Sequence, residues 1–158
     1  MRFAVLALVT AALVAPAGAA QGSLSSVEQQ LVAFAETTRL EAETLLEPTA
    51  NINSGPMNLA GVRRVGEVLD AEFRSLGFRT RWIDGAPFQR AGHLIAERDG
   101  KGPHLLLIGH LDTIFEADSP FRKFERVDAN TARGPGIIDM KGGDVVIVYA
   151  LKALAAAK

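Results

Sequence analysis

Leu105-Leu106-Leu107-Ile108-Gly109-His110-Leu111-Asp112-Thr113 opens on four consecutive apolar residues and closes on a histidine and an aspartate separated by one position. An apolar run that does not alternate reads as a strand covered on both faces rather than half-exposed. A strand is therefore expected from His104 to Gly109. Covering both of its faces takes helices on either side. The fold class expected is α/β, a layered sheet with helices on both faces.

A second segment, Gly134-Pro135-Gly136-Ile137-Ile138-Asp139-Met140-Lys141-Gly142-Gly143-Asp144, follows closely, and its Asp139 comes 29 residues after His110. Gly134-Pro135-Gly136 allows a tight loop. Met140 to Ala157 then reads as a helix that is apolar nearly all round and expects burial. Asp139 stands just before it, where the helix dipole and free N–H groups favour an anion. Gly142 and Gly143 are poor helix formers. They fit a place where something large approaches the backbone.

Upstream, Leu24, Val27, Leu31 and Phe34 recur at helical spacing, and one helix is expected to run from Leu24 to about Glu47, ended by Pro48. Thr49 to Pro56 is a polar loop. Asn58 can cap a second helix whose apolar face is Leu59, Val62, Val65, Leu69, Phe73 and Leu76, with Gly77 as a left-handed stop. Phe78 to Ile83 and His93 to Glu97 read as strands, with turns at Asp84-Gly85 and Asp99-Gly100. Phe124 to Asp128 and Thr131 to Arg133 read as two short strands around a turn.

The chain has 158 residues, 48% hydrophobic and 22% charged, which suits one globular domain. A net charge of -1 gives no electrostatic case for nucleic acid. There is no cysteine, so any metal must be held by His, Asp or Glu. Arg2, the apolar stretch Phe3 to Ala15 and Pro16-Ala17-Gly18-Ala19-Ala20 have the layout of a secretory signal peptide over residues 1–20. The alternative is a membrane anchor, for which the run is short. Cleavage would leave 16 basic against 18 acidic residues and no membrane attachment. Residues 21–158 form the remaining domain, exported to the periplasm or secreted. The last helix ends without glycine or proline, and the chain is expected to continue beyond Lys158.

His110 and Asp112 point to the same side of an extended chain. A carboxylate there can take the proton of one imidazole nitrogen and leave the other for a metal. A histidine simply hydrogen-bonded at a strand end fits the same two residues. Asp139 can bridge two metal ions through its two oxygens, or act as a helix cap in a glycine-rich loop. His104 lies about 20 Å along the strand from His110 and cannot share its metal. His93 begins a neighbouring strand that could lie near a cleft. Lys141 and Asp144 read as solvated or capping residues, and Glu116 and Asp118 as loop residues. Gly134-x-Gly136 lacks the Lys-Ser/Thr of a phosphate loop and the third glycine of a dinucleotide fingerprint.

The paired motifs Gly109 to Thr113 and Gly134 to Gly143 resemble the N-terminal signatures of the zinc-dependent metallopeptidase family of glutamate carboxypeptidase, aminoacylase, acetylornithine deacetylase and succinyl-diaminopimelate desuccinylase. Asn51-Ile52-Asn53-Ser54-Gly55, the Leu59 to Leu76 helix and Gly77-Phe78 extend the likeness over about Leu31 to Lys158. Phe115, Pro120-Phe121 and the stretch to Gly136 resemble the glutamate carboxypeptidase branch. The resemblance implies the N-terminal part of a di-zinc catalytic domain, incomplete here. His110 would ligate one zinc, Asp139 would bridge both, and Asp112 would orient His110 as its catalytic partner. The Asp139–Met140 bond would be cis. Zinc is implied, with cobalt and manganese also compatible.

In that family two zincs share an activated water that attacks an amide carbonyl, and a glutamate base moves the proton. That base lies in a Glu-Glu pair further along, with a further carboxylate, a late histidine and a dimerisation domain. The implied substrate is a peptide or N-acyl amino acid, and a homodimer is compatible with it. The fragment alone is expected to be inactive. The alternative is a non-catalytic metal-binding or interaction module that keeps half of the site.

Overall fold

The computed structural model describes residues 23–157. The signal-peptide reading falls on residues outside that range. Among the described residues, four α-helices, one short 3-10 turn (Ala86–Phe88) and two small antiparallel hairpins make a mixed α/β arrangement.

Helix α1 (Ser26–Thr37) opens with a capping box: the Ser25 hydroxyl accepts from Glu28 N, and the Glu28 carboxylate accepts from Ser25 N at 2.7 Å. Helix α2 (Arg39–Asn51) follows at once. The single helix expected up to Glu47 is thus two, and Pro48 lies inside the second instead of ending it. A proline in the last turn forfeits one amide donor, yet the turn can close if its carbonyls find partners. Here they do: the Lys141 ammonium donates to Thr49 O at 2.8 Å and to Ile52 O at 2.7 Å.

Helix α3 (Leu59–Ser75) matches its expected bounds and cap, with the Asn58 side chain accepting from Gly61 N at 3.0 Å. Gly77, at φ +79°, supplies the left-handed stop. The buried stripe is Val62, Val65 and Leu69. Val65 and Leu69 form the centre of the core with Val148, packed round by Leu45, Ile52, Phe73, Leu94, Leu111 and Tyr149.

Strands β1 (Arg79–Asp84) and β2 (Gly92–Glu97) pair antiparallel, Trp82 opposite Leu94. They pack on α3, where the Trp82 ring lies close over Gly66 and stacks under the Arg63 guanidinium at 4.2 Å. A second hairpin joins β3 (Glu125–Arg126) to β4 (Ala132–Arg133). Arg126 ion-pairs with Glu43 of α2.

Residues 103–113 do not form the strand expected at His104 to Gly109. Leu105 and Leu106 are about four-fifths exposed, at 82% and 79%. A strand exists only through ladder hydrogen bonds to a neighbour. Among the described residues β1 and β2 pair only with each other, so this segment has no ladder. It borders instead a cleft of about 850 Å³ whose walls include Leu94, Leu107, Ile147 and Leu151.

Helix α4 (Lys141–Ala156) packs against α1, α2 and α3. It is buried on one face, by Val145, Val148 and Ala153, while Val146 and Leu154 are exposed. The all-round burial expected of it is therefore only partial, because Ile147 and Leu151 face the open cleft. No helix among the described residues is long and apolar enough to cross a membrane.

Candidate metal centre

The two motifs meet. His110 Nε2 lies 2.8 Å from Asp139 Oδ1, across 29 residues of sequence. The other ring nitrogen, Nδ1, lies 3.2 Å from Asp112 Oδ1 and 3.1 Å from the Asp112 carbonyl. All three residues named from the sequence are thus in one constellation centred on the His110 imidazole. The Asp139–Met140 peptide bond is cis.

Oxygen acceptors flank both ring nitrogens. A ring so placed is best matched when both nitrogens carry protons to donate. Burial by itself would lower the His110 pKa. The hydrogen bonds to Asp139 and to the Asp112 carbonyl, with the two carboxylate charges, outweigh it and raise the pKa above its ordinary value. A site that holds a proton between Nε2 and a carboxylate presents the same nitrogen and oxygen to a divalent cation. With Nδ1 engaged by Asp112, Nε2 is the nitrogen left to ligate. The donor set of one imidazole and one carboxylate suits zinc chemistry. Asp139 is 74% exposed at its side chain. The residues present fit as two donors. Among the described residues no group of three His, Asp or Glu side chains could hold a metal ion.

His104 and His93 are exposed and make no hydrogen bond to the constellation. Glu116 lies in a loop, where its carboxylate accepts from Met57 N at 3.3 Å. Asp118 is exposed in the same loop.

Lys141 and Asp144 overturn the solvated half of their expectation, and Lys141 does cap a helix, at the far end of α2. Neither is solvated: Lys141 is 1% exposed and Asp144 6%. Burial pulls the Lys141 ammonium down to about 8, against the attraction of Asp144. Burial also pushes the Asp144 carboxyl up to about 7, against the charges of His110 and Lys141. Asp144 Oδ2 is buried with no hydrogen-bond partner. The sequence shows only a pair of opposite charges three apart in the first turn of a largely apolar helix, a place that ordinarily faces water.

The glycines acquire definite reasons. Gly136 has φ +75°, and a Cβ there would come within 2.5 Å of Thr113 Cγ2. This packs the Asp139 loop directly on the segment that carries His110. A Cβ at Gly142 would meet the Ile137 carbonyl oxygen at 2.2 Å. What approaches the α4 backbone at that glycine is therefore the preceding loop folding back.

Over 114 residues the chain is 36% identical to carboxypeptidase G2 of Pseudomonas sp. (strain RS-16), covering 69% of this chain and 26% of that protein. Over 93 residues it is 30% identical to an uncharacterized metallohydrolase of Methanocaldococcus jannaschii, covering 59% of this chain and 23% of that protein. The chain spans about a quarter of the length of these curated relatives. No family model matches it.

Proposed function

Because the chain belongs to the metallopeptidase family of carboxypeptidase G2, we propose that it contributes the N-terminal part of a zinc-dependent hydrolase cleaving a peptide or N-acyl amino-acid amide bond. The observation that carries this reading is the His110 ring held between Asp112 and Asp139.

His110 Nε2 and Asp139 would hold the metal. When bound, zinc supplies an activated water and polarises the scissile carbonyl. Asp112 keeps the proton on Nδ1 and so keeps Nε2 free to ligate. It also holds the ring plane toward Asp139. Asp139 spends one oxygen on His110 and keeps the other accessible. The base that moves the water proton, and the remaining ligands, are assigned to a Glu-Glu pair, a further carboxylate and a late histidine outside this chain, and the 158-residue chain alone is inactive.

The finer fold reading belongs here too. A layered sheet with helices on both faces is proposed for the catalytic domain to which residues 21–158 belong. The pattern of residues 1–20 supports export to the periplasm or the medium. A homodimer is proposed for the complete protein.

A second reading, a non-catalytic metal-binding or interaction module with half of the site, is favoured by one observation. Only two donors converge, and no three-residue cluster exists among the described residues.

The test is a Zn²⁺ and Co²⁺ titration of the chain, followed by an N-acyl glutamate hydrolysis assay on a form extended to the length of its relatives. Metal binding with turnover by the extended form supports the hydrolase. Metal binding without turnover supports the module. Failure of the extended form to bind either ion removes both.

A further inference from the structure

Lys141 is buried with its ammonium hydrogen-bonded, and the chemistry above does not use it. It is the first residue of α4, two positions after Asp139. Its side chain runs buried to the far end of α2, where Nζ donates to Thr49 O at 2.8 Å and Ile52 O at 2.7 Å. A cation there is well placed, since the last carbonyls of a helix carry partial negative charge. Its backbone N–H donates to Gly136 O at 2.7 Å, which closes the loop bearing Asp139. Its stem lies beneath Gly136, with Cδ 3.3 Å from where a Cβ would stand.

The residues that Lys141 grips continue to the other half of the site. Ile52 leads into Asn53 and Ser54. Ser54 O accepts from Thr113 N at 2.8 Å. The Asn53 amide donates to the carbonyls of Phe115 and Glu116 at 3.0 and 3.1 Å. Thr113 is one residue from Asp112 and three from His110. A circuit therefore runs from Asp139 through Lys141, Ile52, Ser54 and Thr113 to His110, and closes at the 2.8 Å contact between His110 and Asp139. Ser54, Thr113 and Lys141 on this circuit are all buried.

We propose that Lys141 is a positioning residue that sets the separation of His110 and Asp139, by fixing the α4 N-terminus to the 49–54 segment on which the His110 segment also hangs. This rests on the metal-site reading for its consequence, though not for its geometry. An apolar residue could fill the same volume, but it could not donate to the Thr49 and Ile52 carbonyls. Arginine would bring a wider planar fork to a place sized for an ammonium.

The test compares the full chain with Lys141→Met, which keeps the stem and removes the donors. The first readout needs no metal: imidazole ¹⁵N and ¹H shifts separate His110 from the solvent-exposed His93 and His104. In the parent, the His110 Nε2 resonance carries the signature of a hydrogen bond to carboxylate. In Lys141→Met that signature moves to the values of His93 and His104, while helix content by circular dichroism is retained. The second readout is Co²⁺ affinity, expected to fall about 10- to 100-fold, as for losses of groups that support metal ligands.

Because the chain has no cysteine, Lys141→Cys alkylated with bromoethylamine in denaturant and refolded restores a lysine-like ammonium. Both readouts should return with it. A purely structural lysine would lower the melting temperature and leave the His110 signature and the affinity of the folded chain unchanged, which would overturn the proposal. A parent without the His110 signature would overturn it too. If Lys141→Met does not fold, Lys141→Gln is compared in the same way, and an unmoved His110 resonance there counts against it. If the chain shows the His110 effect but binds no Co²⁺, affinity is read on the form extended to the length of its relatives, and no binding there would sink the metal reading and leave Lys141 in its role.

Discussion

The carboxylate of Asp144 occupies the space that a side chain on Gly109 would need: its Oδ1 lies 2.2 Å from the place of a Cβ at that position. Real Cβ contacts are not this short, so residue 109 is glycine because helix α4 presses a carboxylate against its backbone. The residue after it is His110, and the contact therefore fixes where the imidazole begins.

Gly109→Ala forces Asp144 or the 109–110 backbone to move. Overpacking of this kind costs about 1–3 kcal/mol. Asp144→Ala in the same chain removes the obstacle, so the double variant should recover much of the loss. A double-mutant cycle by urea unfolding reads the coupling. Strict additivity would show that the two residues do not compete for space.

Asp144→Asn tests the burial of that carboxyl. Its folded pKa, raised to about 7 from 3.8 by burial, means that the folded chain holds the proton more tightly than the unfolded chain. This contribution to stability is complete below about 3.8 and is lost as pH rises through about 7. Asparagine stays neutral throughout. The variant should gain on the parent between pH 5 and pH 8, reaching on the order of 2–4 kcal/mol at the upper end. A difference that does not change with pH would show that Asp144 is ionised at no cost.

For the metal centre, His110→Ala should abolish Co²⁺ binding by the chain. Asp112→Ala should retain binding at about 10- to 100-fold lower affinity, since it only orients the ring. Titration followed by d–d absorption measures both. If Asp112→Ala binds as the parent does, its 3.2 Å contact with Nδ1 does not support the ligand.

Leu69→Ala and Leu106→Ser separate core from cleft. Leu69 is 3% exposed between Val65 and Val148, and its truncation should cost about 2–5 kcal/mol. Leu106 is 79% exposed. Its substitution should change unfolding by no more than about 0.5 kcal/mol. A large loss at Leu106 would mean that the cleft is closed in solution.

Much of this was legible along the chain. Helix α3, its Asn58 cap and Gly77 stop follow from local spacing and backbone freedom. The β1–β2 hairpin follows from two β-rich runs around a turn. His110, Asp112 and Asp139 were legible as chemistry-bearing residue types set at the ends of apolar runs. The continuation of α2 past Pro48 was not, because the ammonium that donates to its last carbonyls comes from 92 residues away. The burial of Lys141 and Asp144 was also hidden, since charge in a first turn ordinarily faces water.

By itself the sequence determined the local elements and the identity of the donor residues, through forces that act over a few positions: helix periodicity, caps, turns and side-chain chemistry. Only the tertiary structure decided which donors meet. It set His110 at 2.8 Å from Asp139, buried a lysine to hold two segments together, and left Leu105 to Ile108 without a ladder. Those outcomes depend on the packing of elements far apart in the chain, and a strand, a close contact or a buried charge exists only by virtue of what lies opposite it.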